Sequence, residues 1–273
     1  MVAPFLLITY GEQHITSWSC QLEGRSAISL TLMSVAEPAD RSPYHGYRFP
    51  PEIIAHAVWL YFRFHLSFRD VQDLLAERGV VVSHETIRQW CTRFGATFAA
   101  GLRRRRVRAG DKWHLDEVAL RIRGKRHWLW RAVDQHGVVL DILVQERRDQ
   151  VAAERFLRRV LDGEGGTEPR VVITDKLASY PPAIRRALPN VEHRRHKGLN
   201  NRAENSHLPT RKRERILQRF KSAEHAQRFL VPFSAVSNHF RPRRHRLTAY
   251  AYRQLRTVAH SAWQDVTQVG VRH

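Results

Sequence analysis

KWHLDEVALRIRGKRHWLWRAVDQHGVVLDILV, residues 112–144, alternates apolar and polar side chains with a period of two through three successive runs. That period predicts strands at 112–122, 126–134 and 138–144, with Gly124 and Gly137 marking the turns. Strands so close together in sequence make an antiparallel meander, because a parallel neighbour needs a long crossover.

Downstream, the period lengthens. DQVAAERFLRRVL (149–161) spaces its apolar residues as an amphipathic helix. VVITD (171–175) reads as a short strand of the buried type, KLASYPPAIRRAL as helical, and a fifth strand is expected around Val191. Three antiparallel strands, helix, strand, helix, strand, then helices is the element order of an α/β, RNase H-like mixed sheet with helices on its faces. Other α/β folds remain open on order alone.

Upstream, the pattern is helical. Pro50 and Pro51 suit a helix start, and Ile54, Ala57, Val58 and Tyr61 follow helical spacing. In SFRDVQDLLAERG, Ser67 and Asp70 form a capping box, Phe68, Val71, Leu74 and Leu75 an apolar stripe, and Gly79 a C-terminal cap. In SHETIRQWCTRFG, Ser83 caps, Ile87, Trp90, Cys91 and Phe94 face inward, and Gly95 ends the helix. Two short helices after a third read as helix-turn-helix, with Glu85, Arg88, Gln89 and Thr92 outward where base edges are read. A small three-helix bundle with a solvated face is the bland alternative. The basic run RRRRVR (103–108) is expected to be a linker that tracks a phosphate backbone or is simply solvated.

Three acids stand out. Alternation places Asp116 on a strand face with Val118, Leu120 and Ile122, where an unpaired carboxylate is costly. The adjacent Glu117 falls on the other face, with Trp113 and Leu115. Asp175 ends the strand VVIT, and Glu204 begins a helix behind Asn200 and Asn201, which can cap it. The intervals are 59 and 29 residues. If the first and fourth strands are neighbours, Asp116 and Asp175 meet and Glu204 approaches from a packed helix. Converging carboxylates need cations between them, and hard oxygen donors select Mg²⁺ or Mn²⁺. Two such ions would stabilise the attacking and leaving oxygens of a phosphodiester displacement. Singly, each acid has a plainer reading: Asp116 paired with an arginine, Asp175 as a helix N-cap, Glu204 paired with Arg202 or Lys197.

The charge balance points the same way. The chain of 273 residues carries 46 Lys plus Arg against 26 acids, a formal net charge of +20. Only six of those 46 are Lys, so Arg, with its bidentate fork for phosphate, dominates. The segment KGLNNRAENSHLPTRKRER (197–215) concentrates cations around Glu204, and Glu204, His207, Leu208, Arg211 and Arg215 lie along one helical side, with a break expected near Asn205–Leu208 because of Pro209. Cys20 and Cys91 are too few for a disulfide framework or zinc site, and no run approaches the roughly 18 apolar residues of a membrane span. A reducing, cytoplasmic setting is expected. Residues 1–40 differ in charge, with Arg25 as sole cation against Glu12, Glu23, Glu37 and Asp40; they read as an extension or as sequence upstream of the true start codon.

WHLDEV, RGKRHWLWRAVD, QERRDQVAAERFL, ITDKLASY, KGLNNRAENSH and RKRERILQRFKSAEHAQRFL together resemble the DDE transposases of insertion sequence family six, from about Tyr47 to the region of Trp263. The second acid interval is shorter than in many DDE enzymes, and residues 1–40 match nothing in the family. The resemblance implies that Asp116, Asp175 and Glu204 are the catalytic and metal-binding triad for two Mg²⁺ or Mn²⁺ ions. It implies binding of double-stranded DNA, both terminal inverted repeats and target, and assembly as a homodimer or higher oligomer. Replicative, cointegrate-forming strand transfer in a bacterial or archaeal cytoplasm, at the nucleoid, is the activity it implies. DNA contacts are expected at Glu85, Arg88, Gln89, Arg93, Arg103, Arg104, Lys176, Arg202, Arg211 and Arg215, with Lys176, Asn200, Asn201 and Arg202 flanking the acids. The expected divisions are an extension at 1–46, the helix-turn-helix at 47–101, a linker at 102–111, the catalytic domain at 112–240 and a basic helical tail at 241–273. The rival readings are a DNA-binding regulator with an inactive nuclease-like domain, and an RNase H-like nuclease that cuts without joining.

Overall fold

The computed structural model describes residues 42–200, 203, 206–217, 219–241 and 247–269. The expectations for residues 1–41, Asn201, Arg202 and Glu204 fall outside these. Residues 46–273 gather into one compact unit.

The meander forms as the alternation predicts. Strands β1 (Lys112–Ile122), β2 (Lys125–Asp134) and β3 (Val139–Gln145) pair antiparallel, β1 with β2 and β2 with β3. Gly124 and Gly137 take φ of +80° and +75°, which a side chain would resist. Asp134 closes the second turn by accepting the amides of His136 and Val138 at 2.8 and 2.9 Å. Strand β4 (Val171–Thr174) lies parallel to β1 on its other side, and β5 (Glu192–Arg195) parallel to β4. The order β3-β2-β1-β4-β5, with helices α4 (Gln150–Gly163) and α5 (Tyr180–Ala187) packed on the sheet, is the RNase H-like arrangement. One face of β1 and β2 sends Trp113, Leu115, Trp130 and Ala132 against Phe156, Leu157, Val160, Tyr180 and Ile184, all buried. Burying a side chain of the size of Phe156 contributes roughly 2 kcal/mol.

The upstream helices are α1 (Pro51–Arg63), α2 (Phe68–Ala76) and α3 (His84–Arg104). The capping box at Ser67 and Asp70 is present in both directions, at 3.1 and 2.7 Å. Gly79, at φ +77°, follows the end of α2, and the Val80 amide reaches back to the Leu75 carbonyl. Leu74 departs from the expected stripe and is 43% exposed, because α2 spans only nine residues and buries just Val71 and Leu75.

Gly95 does not end α3. The helix continues to Arg104, so the first two arginines of the basic run sit in its last turn rather than in a linker. A Cβ at Gly95 would stand 2.9 Å from the Phe62 ring, and one at Gly101 2.6 Å from Val266. The glycines let α1 and the C-terminal helix approach. Gly95→Ala is therefore expected to destabilise: Phe62 is buried and cannot swing away, and overpacking costs about 1–3 kcal/mol against about 1 kcal/mol of helix propensity gained. A urea midpoint equal to or above wild type would contradict that packing.

Three further helices follow among the described residues: α6 (Leu208–Ile216), α7 (Ala223–Phe240) and α8 (Ala249–Thr267). Helix α7 runs along the open edge of β3. Asn238 both accepts the Val139 amide and donates to the Val139 carbonyl, and Gln227 does the same for Val144 and Ile142. These side chains satisfy backbone groups that would otherwise form a bare sheet edge. Helix α7 also packs on α1 and α3, joining the helical and sheet parts. Among the described residues no helix is long and apolar enough to cross a membrane.

Candidate active site

The parallel pairing of β1 with β4 sets the site. Lys112 pairs with Val171, Trp113 with Val172 and His114 with Ile173. Carried two residues further, the same register puts Asp116 level with Asp175. The ladder has stopped by then. The carbonyl of Leu115 accepts instead from the buried amide of Asn200, at 2.8 Å, on the 3₁₀ turn Lys197–Asn200. The two strands therefore part at the C-terminal end of β4, the usual place for a site in an open α/β sheet. The Asn200 side-chain oxygen, which a cap would use, is buried without a hydrogen-bond partner among the described residues. Asn200 holds the segment leading to Glu204 against β1.

Asp116 and Glu117 point to opposite faces, as alternation predicts. The Asp116 side chain is 14% exposed, and its Oδ2 lies 3.3 Å from Nε2 of buried His207. Among the described residues no arginine pairs with Asp116: Arg131 stands opposite it in the ladder but donates to the Ser206 carbonyl and to Ser234. Burial lowers the pKa of His207, against the pull of Asp116. Burial also lowers Arg131, to about 10. The Asp175 side chain is 28% exposed. Its Oδ1 accepts the Leu177 amide at 2.9 Å, tightening the loop rather than capping α5, which starts only at Tyr180.

Glu117 is completely buried on the helical face. It accepts Tyr180 Oη at 2.5 Å and Arg148 Nε at 2.7 Å. Burial pushes its carboxyl up to about 7; Tyr180 and Arg148 pull it back, and nearby Asp175 adds to the rise. Burial lifts the Tyr180 hydroxyl well above its ordinary range, with Glu117, Asp116 and Asp175 all adding. Both aspartates therefore lie within electrostatic reach of one hydroxyl group.

Two partly exposed carboxylates, one on β1 and one just past the end of β4, offer hard oxygen donors that fit a divalent cation. Among the described residues no three His, Cys, Asp or Glu side chains form a complete metal cluster. The third acid expected from sequence, Glu204, is outside those residues.

The expected DNA contacts divide. Glu85, Arg88, Gln89, Thr92 and Arg93 are all exposed on α3. Glu85 and Arg88 grip each other through two hydrogen bonds, at 2.5 and 2.8 Å, which depress the pKa of Glu85 and raise that of Arg88. Arg103 turns back to Asp141 at 3.3 Å and is committed to the fold, whereas Arg104 is exposed. Lys176, Arg211 and Arg215 are exposed; Arg202 is outside the described residues. His207 is a turn residue, inside the interval where a break is expected, and α6 starts at Leu208. His207 is buried and Leu208 is 63% exposed, so the expected single stripe is split. Sequence reading missed Arg148 and the roles of Asn200 and Tyr180; the adjacency of Glu117 to Asp116 was the one local signal for that cluster.

Comparison with known proteins converges on this region. A family model described as a DDE domain matches residues 110–243. The transposase for insertion sequence-like element IS431mec of Staphylococcus aureus (strain Mu50 / ATCC 700699) is 30% identical over 215 residues, covering 77% of this chain and 94% of that protein. The transposase for insertion sequence element IS257 in transposon Tn4003 of Staphylococcus aureus matches to the same extent. Among solved structures, the HTLV-2 integrase catalytic core domain in complex with magnesium is 13% identical, with TM-score 0.33, over 62% of this chain and 93% of that one. A simian T-cell lymphotropic virus intasome chain is 15% identical, with TM-score 0.37, over 56% and 57%. With a family model lying over the whole sheet and relatives matched along nearly their full length, the chain belongs to the DDE transposases of insertion sequence family six.

Proposed function

We propose that this transposase binds the terminal inverted repeats of its element through α1–α3 and cuts and joins DNA strands where β1 and β4 part, beside Asp116 and Asp175. The observation that carries the reading is the register that levels Asp116 with Asp175 where the two strands part. Asp116, Asp175 and Glu204 are the residues that would hold Mg²⁺ or Mn²⁺. Two bound cations supply charge neutralisation at the attacking and leaving oxygens of an in-line phosphodiester displacement.

The protein's own part is placement. His207 steadies Asp116, the Leu177 amide steadies Asp175, and Asn200 pins the segment before Glu204 to β1. Lys176 next to Asp175, with Arg211 and Arg215 on α6, presents charge to the DNA backbone. A protein that joins two ends to a target works as a homodimer or larger assembly on DNA.

Purified protein, labelled DNA bearing the element's ends, Mg²⁺ and a target plasmid test the reading. Joined products are expected. Nicking without joining would make it a nuclease, and a gel shift without cleavage a regulator. On α3, Gln89→Ala and Arg93→Ala are each expected to weaken end binding about tenfold, the scale of one good base or phosphate contact. Arg88→Ala should do so less, because Glu85 already occupies its fork. Wild-type affinity in both Gln89→Ala and Arg93→Ala would remove this face from the interface.

A further inference from the structure

Arg148 is held from three directions at the corner between β3 and α4. Its Nε and Nη2 both reach Glu117 Oε1, at 2.7 and 2.5 Å. Glu117 is itself seated by the Tyr180 hydroxyl, at 2.5 Å. The guanidinium carbon lies 4.6 Å over the Trp128 ring. The Arg148 carbonyl accepts from Ser179 Oγ at 3.2 Å, on the loop that follows Asp175. Yet the side chain remains 35% exposed, and Nη2 stands 3.9 Å from Asp175 Oδ2.

This seat resolves a conflict. A free arginine beside Asp175 would compete with a cation for that carboxylate. Glu117 draws the guanidinium back, so its contact with Asp175 is long while its contacts with Glu117 are short. A guanidinium carries five N–H donors in a rigid fork. Those facing Glu117 are committed, and among the described residues Nη1 has no hydrogen-bond partner. The stack on Trp128 fixes the plane of that outer edge.

We propose that Arg148 grips a phosphate of the DNA strand lying beside Asp175, held ready by Glu117, Tyr180 and Trp128. The assignment rests on the transposase reading above. The competing role is a corner post that only joins β1 to the loop of Asp175.

The double variant Glu117→Gln with Arg148→Met separates the two. It removes both charges together, so no lone buried charge remains, while Met still covers Trp128 and Gln still accepts from Tyr180. Binding of a fluorescein-labelled duplex of arbitrary sequence is measured by anisotropy against NaCl, at fixed Mg²⁺. Phosphate contacts carry no sequence information, so this probe suffices. The slope of log affinity on log salt is expected to shrink by about 0.9, the value of one phosphate. Arg148→Lys, which keeps a point charge but loses the fork, should keep the wild-type slope and slow strand transfer about tenfold. A wild-type slope in the double variant would overturn the assignment, whatever its strand transfer, and leave Arg148 a corner post. If the double variant fails to fold, wild-type strand transfer in Arg148→Lys does so instead. Absence of salt-dependent binding by the wild-type protein would instead sink the transposase reading, and this proposal with it.

Discussion

Asp116→Asn and Asp175→Asn should each reduce strand transfer by roughly a thousandfold or more, while the protein still folds and still binds the ends of its element. Asparagine keeps the size and shape of aspartate. At Asp175 its carbonyl oxygen can still accept the Leu177 amide, so the loop should survive. At Asp116 it can still face His207. The negative charge alone is lost, and with it the hold on a hard cation. Glu204→Gln is expected to behave likewise. End binding, proposed above for α3, is measured by gel shift in the same preparations. Joined products at wild-type level from any one of these variants would strike that residue from the triad.

Arg213→Ala should produce the largest loss of stability, about 3 kcal/mol. Arg213 is fully buried in α6. It donates to the carbonyls of Tyr61, at 3.0 Å, and Leu66, and lies 4.4 Å over the Tyr61 ring and 5.3 Å from Phe229. Truncation leaves two buried carbonyls without a donor, at about 1–3 kcal/mol each, and opens a hole between the rings. Release of a buried cation offsets part of that; the site already depresses the Arg213 pKa through burial. For a unit of this size the melting temperature should fall by roughly 6–12 °C. The site beside α6 should suffer too, since Arg213 ties that helix to the end of α1. An unchanged midpoint in calorimetry would show that the carbonyls find other donors.

Arg213 also shows where sequence reading stops. In TRKRER it is one cation among several, and a run of that kind reads as a solvated or DNA-facing surface. Nothing local distinguishes the arginine that turns inward from Arg211 and Arg215, which do not. The distinction depends on two carbonyls about 150 residues away in sequence. The ion pair of Arg103 was hidden for the same reason, since its partner Asp141 arrives from β3. Gly95 reads as a stop by local convention and proves to be a contact point, because only the packing of α1 reveals the need for a missing side chain.

What depends on neighbours in sequence was legible. The meander, the Ser67 capping box, the Ser83 cap and the α4 helix follow from period and capping chemistry, and each is present. The opposite facing of Asp116 and Glu117 follows from alternation alone. The levelling of Asp116 with Asp175 lies between the two cases. The interval of 59 residues is plain in the sequence, but it acquires meaning only once β4 is known to lie parallel to β1 in that register. Tyr180 looked like an ordinary helix residue, yet it seats Glu117 and feels both aspartates.

Anomalous diffraction from crystals of the full-length protein soaked in Mn²⁺ tests the central claim most directly. A manganese peak bridged by the carboxylates of Asp116 and Asp175, and lost in Asp116→Asn, is the predicted result. Manganese bound elsewhere, with the two carboxylates turned away from each other, would contradict it.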